Sequence, residues 1–158
     1  MKIGDLVELS AAARKLIWTE PFHDTIGILT DIRNRETGMA DYEDFTIDQG
    51  ADVAIELHLQ EPNGNKKNLT GHTVAAKMKR SYNSVDSDEI ISFSTEVSTP
   101  ETDGVCILSL TNIQTDALNP RLRYVYDVEL SFEDSDNNTI IERILEGKVK
   151  VTPSVTRG

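Results

Sequence analysis

The sequence predicts an all-β sandwich, and three observations carry that prediction. Apolar and polar residues alternate with period two through six segments after Ala51, as strands with one buried face require. Turn-forming clusters, "EPNGNKKN", "TPETDG" and "EDSDNN", separate those segments. Helix signals gather in one short stretch only, "TNIQTDALNP".

Taken in order, "ADVAIELHLQ" places Val53, Ile55, Leu57 and Leu59 on one face and Ala54, Glu56, His58 and Gln60 on the other. "HTVAAKMKR" opposes Val74, Ala76 and Met78 to Ala75, Lys77 and Lys79, and the polar "SYNSVDSDE" then leaves the sheet as a long loop. "IISFSTEVS" groups Ile91, Phe93, Thr95 and Val97 as one strand, and Asp103-Gly104 turns it into "VCILSL" as a hairpin. In "TNIQTDALNP" a Thr stands at a helix N-cap, Ile113 and Leu118 supply apolar positions, and Pro120 ends the element after a turn or two.

"PRLRYVYDVELSF" alternates most strictly. Leu122, Tyr124, Tyr126, Val128, Leu130 and Phe132 form one face, while Arg123, Asp127, Glu129 and Ser131 form the other. "TIIERILEGKVKVTPSV" returns as the last long strand, with Lys148 and Lys150 pointing outward between Gly147, Val149 and Val151. About seven strands divided by turns suit an antiparallel sandwich. A helical turn ending in Pro120, followed by a strand with alternate tyrosines, resembles the corner of immunoglobulin-like domains, where a Tyr hydroxyl ties the chain back on itself. Tyr124 is the candidate for that tie.

Residues 1–44 differ in character and are read as an N-terminal arm or partial SH3-like subdomain, with the sandwich at 45–158. "KIGDLVELS" and "TIGILTDIRN" are strand candidates around "AAARKLIWTEPFHD", and they resemble the opening strands of small SH3-like barrels. Too few residues precede Asp44 to complete such a barrel. Leu16, Ile17, Trp18 and Phe22 concentrate large apolar groups where the chain is least able to build its own core. They read either as anchors for a partner or as the packing of the arm onto the sandwich.

Composition excludes several functions. With 158 residues, 38% apolar and 27% charged, the chain has enough material for one sizeable core. Its formal net charge is −11, and from Ser81 to Pro120 there are seven acids and no Lys or Arg, which argues against nucleic acid as a partner. No apolar run approaches a membrane span, and the acids of "MKIGDLVELS" do not suit a signal peptide. Cys106 is the single cysteine, so no internal disulfide or cysteine-based metal site is expected, and its apolar neighbours predict a buried thiol.

The ordered set "LTG-T", "K-RS", "LS-T--QT-AL", "YVYDVE" and "EG-V-VTP-VTR", spread over residues 45–157, resembles small phage virion proteins. Those proteins carry an immunoglobulin-like β-sandwich and belong to tails, baseplates or their adaptors. Where their corner commonly reads Pro-Gly, this chain has Pro120-Arg121, and the N-terminal arm lies outside the match. The resemblance implies a non-enzymatic structural subunit in the virion, made in the host bacterial cytoplasm, whose partners are other virion proteins and copies of itself.

Chemical motifs are sparse. His23, His58 and His72 lack zinc-ligand spacing, and neither a nucleophile elbow nor a phosphate-binding Gly-rich loop is present. Asp134, Asp136 and Asn138 reproduce the opening of a calcium loop, but Thr139 replaces its Gly and Leu145 its closing Glu. A hairpin turn in which Asp and Asn bond their own backbone is the better reading. Asp86, Asp88 and Glu89 read as a solvated loop. No catalytic residue, metal site or cofactor is expected. The alternative function is a carbohydrate- or host-receptor-binding module of a tail fibre, for which Tyr82 is the one aromatic in a long loop.

Overall fold

The computed structural model describes residues 7–8, 13–17, 26–33, 40–86 and 90–156, with side chains described from residue 40 onward. In chain order the strands are β1 (Val7–Glu8), β2 (Ala13–Ile17), β3 (Ile26–Arg33), β4 (Asp41–Tyr42), β5 (Phe45–Asp48), β6 (Val53–Gln60), β7 (Thr73–Lys79), β8 (Ile90–Ser92), β9 (Ser94–Val97) and β10 (Val105–Leu110). A short helix α1 (Asn112–Asp116) leads into β11 (Arg123–Glu133) and β12 (Thr139–Thr152). One sheet runs β1-β2-β3-β6-β10-β9, and the other runs β4-β12-β11-β7-β8, with β5 also on β12.

The two sheets face each other across one apolar interior. Ile55, Leu57 and Leu108 come from one side, and Met78, Val128, Leu130, Leu145 and Val149 from the other, all fully buried. The inward residues predicted from the alternation of β6 and β7 are the buried ones, so period two in the sequence became one wet and one dry face; β10 buries Cys106, Leu108 and Leu110 in the same way. The order β6-β10-β9 against β12-β11-β7 is the BED and GFC order of an immunoglobulin-like sandwich.

Tyr124 makes the corner. Its ring is buried, and its hydroxyl accepts the backbone N–H of Asn119 at 3.0 Å, five residues upstream. With Arg121 following Pro120, the Asn119 side chain shapes the bend by accepting the N–H of Arg121 at 3.0 Å. Tyr124→Phe is therefore expected to lower stability by about 1–2 kcal/mol, since it strands a donor at a part-buried site. Chemical denaturation of the two proteins checks this; equal midpoints would show that the corner bond contributes nothing.

The Thr111 cap is present as a full capping box. The Gln114 N–H donates to Thr111 Oγ1 at 3.3 Å, and the Thr111 N–H donates to Gln114 Oε1 at 3.0 Å. Leu118 is buried as expected, but Ile113 is 78% exposed. Thr115 takes the inward position instead, and its hydroxyl donates to Ala51 O at 2.8 Å.

Three features depart from the sequence reading. The stretch read as one strand, "IISFSTEVS", is two: β8 pairs with β7 in one sheet and β9 with β10 in the other, so the chain changes sheets at Phe93. The buried Phe93 plugs the crossing, its N–H donating to Ala76 O at 3.0 Å, while Thr95 Oγ1 donates to Val74 O at 2.8 Å. Ile91 and Val97 still pack against the interior on either side of the switch, whereas Thr95, expected on the same face, is exposed.

The second departure is that β3 on β6, and β4 and β5 on β12, pair in parallel within an otherwise antiparallel sandwich. The third is a bulge. The register of β11 on β12 slips between Val128 and Glu129, which buries both Ile144 and Leu145 and joins two alternation phases in one strand.

Between β4 and β5 the chain crosses directly over Gly147. A Cβ on Gly147 would stand 1.9 Å from Glu43 O and 3.1 Å from Tyr126 Cε1. Tyr126 donates its hydroxyl to that same Glu43 O at 2.5 Å, and Lys148 N donates to Asp44 Oδ1 at 2.8 Å. Phe45 stacks on the Tyr126 ring with centroids 4.8 Å apart.

Candidate functional site

The four residues singled out as partner-binding fall in the arm. Leu16 and Ile17 end β2, in register with Gly27 and Ile26 of β3, whereas Trp18 and Phe22 lie outside the described residues. Strands β2 and β3 extend the sheet of β6 outward, so the segment holding Leu16 and Ile17 is placed by backbone pairing two strands beyond β6. β3 matches β6 over its full length, from Ile26 opposite Val53 to Arg33 opposite Gln60.

The residues weighed for chemistry have structural surroundings. His58 lies on the outer face of β6, where its Nε2 meets Glu56 Oε1 at 2.5 Å. His72 stacks on Phe132, with ring centroids 4.7 Å apart. His23, Asp88 and Glu89 lie outside the described residues. Cys106 is buried among the core side chains, and that burial pushes its thiol up to about 12.

In "DSDNN" the Asp134 carboxylate is used within the turn. Its Oδ1 accepts the N–H groups of Asp136 and Asn138, each at 2.9 Å, and Asn137 adopts a left-handed φ of 60°. The N–H of Asn138 foremost, then that of Asp136 and the Asn138 amide, hold Asp134 below the ordinary carboxylate value, against a weaker opposing effect of desolvation. The hairpin-turn reading of this string holds. Among the described residues no three His, Cys, Asp or Glu are grouped to hold a metal ion.

Groups with displaced proton affinity gather where the chain crosses Gly147. Burial foremost, and the nearby Glu43 carboxylate next, hold the Tyr126 phenol well above its usual range. Partial burial, then the neighbouring Asp44, raises the Glu43 carboxyl. Both effects follow from packing one strand across another.

An open concave surface lies on the outer face of the sheet containing β11. A groove of about 410 Å³ is floored by Ala75 and Val125 and flanked by Tyr82, which is 70% exposed. At its lower end Arg143 bridges Asp127 at 3.3 Å and Glu146 at 3.4 Å, so those charges are matched. Lys79 and Val125 line the other end, and beyond it on the same face Val125 stands opposite Lys148 and Arg123 opposite Lys150. The outward lysines of β12 are readable from the alternation; only strand register reveals that they meet Lys79 and Arg123.

Neither a protein-family model nor a curated protein sequence matches this chain. Among solved structures it is similar to the N-terminal domain of phage TP901-1 ORF48, at 14% identity and a TM-score of 0.49, over 80% of this chain and 98% of that one. It is also similar to murine CRIg, at 17% identity and a TM-score of 0.41, over 70% of this chain and 92% of that one.

Proposed function

We propose that this chain is a non-enzymatic structural subunit of a bacteriophage virion, in the tail or baseplate, acting through contacts with other virion proteins and with copies of itself. One observation carries the reading: the residues that support the sequence resemblance are the ones that hold the frame. Thr111 and Gln114 cap α1, Thr115 bonds the β5–β6 connection, Tyr124 ties the corner, and Gly147 admits the crossing strand. A motif set devoted to a frame suits a part whose task is to present surfaces. It is weaker support for catalysis, which needs polar groups converging on a pocket.

In this reading the arm reaches a neighbouring chain through Leu16, Ile17, Trp18 and Phe22, while the sandwich supplies a rigid body. Among the residues whose side chains are described, the buried core runs from Phe45 to Val151 and draws on both sheets. Deletion of residues 1–40 is therefore expected to leave a cooperatively unfolding sandwich that no longer enters phage particles. Circular dichroism melting of the fragment and immunoblotting of purified particles check the two halves. A fragment that fails to fold, or that is incorporated like the full chain, overturns the role of the arm; absence of the full-length chain from particles overturns the virion assignment.

A further inference from the structure

We infer that the upper end of the outer β7-β11-β12 face docks the acidic β9 edge of a second copy of this chain, head to tail. The inference rests on the assembly role proposed above and assigns that role a surface.

Lys79, Arg123, Lys148 and Lys150 occupy three adjacent strands around Val125, and against these four cations stands the Asp44 carboxylate, which accepts the backbone N–H of Lys148. Strands lie roughly 5 Å apart, so these charges form one patch. None of the four makes an ion pair within 4.0 Å among the described residues, although the chain carries a net charge of −11. Arg123 directly opposite Lys150 is a like-charge cross-strand pair, an arrangement that destabilises a sheet unless an anionic surface lies against it. Val125 and the exposed Tyr82 add an apolar centre inside the basic rim, the anatomy of a protein-docking patch.

The complementary surface is on the same chain but elsewhere. Between Ser81 and Pro120 there are no cations, and that stretch includes β9, an edge strand of the other sheet. Lys66 approaches the turn after β9 but pairs with Asp103, while Glu96 of β9 and Glu101 of the turn are exposed and make no ion pair within 4.0 Å among the described residues. Since the basic and acidic surfaces are different, their contact is heterologous, and every bound copy keeps one free surface of each sign. Such a contact propagates into a ring or a stack. Charge complementarity thus selects a second copy as the occupant.

The test uses the purified full chain in sedimentation velocity. Association is expected at about 50 mM salt and its loss at about 500 mM, where the screening length falls to a few ångströms. Lys148→Glu/Lys150→Glu and, separately, Glu96→Lys/Glu101→Lys are each expected to weaken association at least about tenfold. Mixing the two variants is expected to restore it, because each then offers the surface the other lacks. At position 150 a Glu faces Arg123, which offsets the Glu that position 148 brings near Asp44; thermal melting confirms that the variant keeps the parent's fold.

A parent chain that is monomeric at low salt, variants that associate undiminished, or a mixture that stays monomeric would each overturn the inference. So would a monomer that binds heparin through the same four cations, which would make the occupant a polyanion. A chain that is monomeric yet present in particles refutes this contact and leaves the virion role intact; association without incorporation does the reverse.

Discussion

Gly147→Ala is expected to lower the thermal midpoint by about 6–12 °C, taking about 3 kcal/mol at roughly 2–4 °C per kcal/mol for a chain of this size. The added methyl would sit 1.9 Å from Glu43 O and 2.7 Å from its carbonyl carbon. Both are backbone atoms, so no side-chain rotation relieves the contact. The crossing segment is also fixed on each side, since Glu43 N donates to Glu146 O at 2.9 Å and Lys148 N to Asp44 Oδ1 at 2.8 Å. Moving it away breaks the bond from the Tyr126 hydroxyl, and a buried phenol without an acceptor costs a further ~1–3 kcal/mol. Tyr126→Phe in the Gly147→Ala background is therefore expected to cost less than it does alone, which is the signature of two changes acting on one contact. Calorimetry of the four proteins measures this. A Gly147→Ala midpoint within a degree of the parent would mean that β4 and β5 do not cross there.

Leu108→Ala is expected to cost about 2–5 kcal/mol, whereas Ser109→Ala, one residue on, is expected to stay within about 0.5 kcal/mol. Leu108 is 0% exposed on the inner face of its sheet, opposite Ile55 on β6 and Thr95 on β9, and its removal leaves a hole that both sheets enclose. Ser109 points to the other face of the same strand and is only half-buried. Urea denaturation compares the two. Equal losses would mean that β10 does not separate an interior from a surface, and the two-layer architecture would fail with it.

Much of this frame was legible from local chemistry. Alternation located β6, β7, β10, β11 and β12, Thr111 marked its cap, and Tyr124 its corner, because each is specified by residues near in sequence. Alternation reports which face a side chain takes, and says nothing of which strand lies alongside. For that reason the parallel pairing of β3 with β6 and of β5 with β12 was not predictable, nor was the transfer at Phe93. β5 has four residues, too few for its period to stand out. The basic patch was hidden for the same reason: Lys79, Arg123 and Lys148 are far apart in the chain, and only the registers through Val125 gather them. The apolar cluster of the arm was visible as composition, whereas the pairing that places Leu16 and Ile17 two strands beyond β6 was not.

The direction of the last pairing also bears on mechanics. β5 and β12 run side by side in the same sense through four matched residue pairs, from Phe45 opposite Val149 to Asp48 opposite Thr152. A tug on the segment before β5 and a counter-tug on the segment after β12 would strain those bonds all at once, in shear, where antiparallel neighbours pulled from one end would unzip singly. A domain wired this way resists tension applied between those two segments.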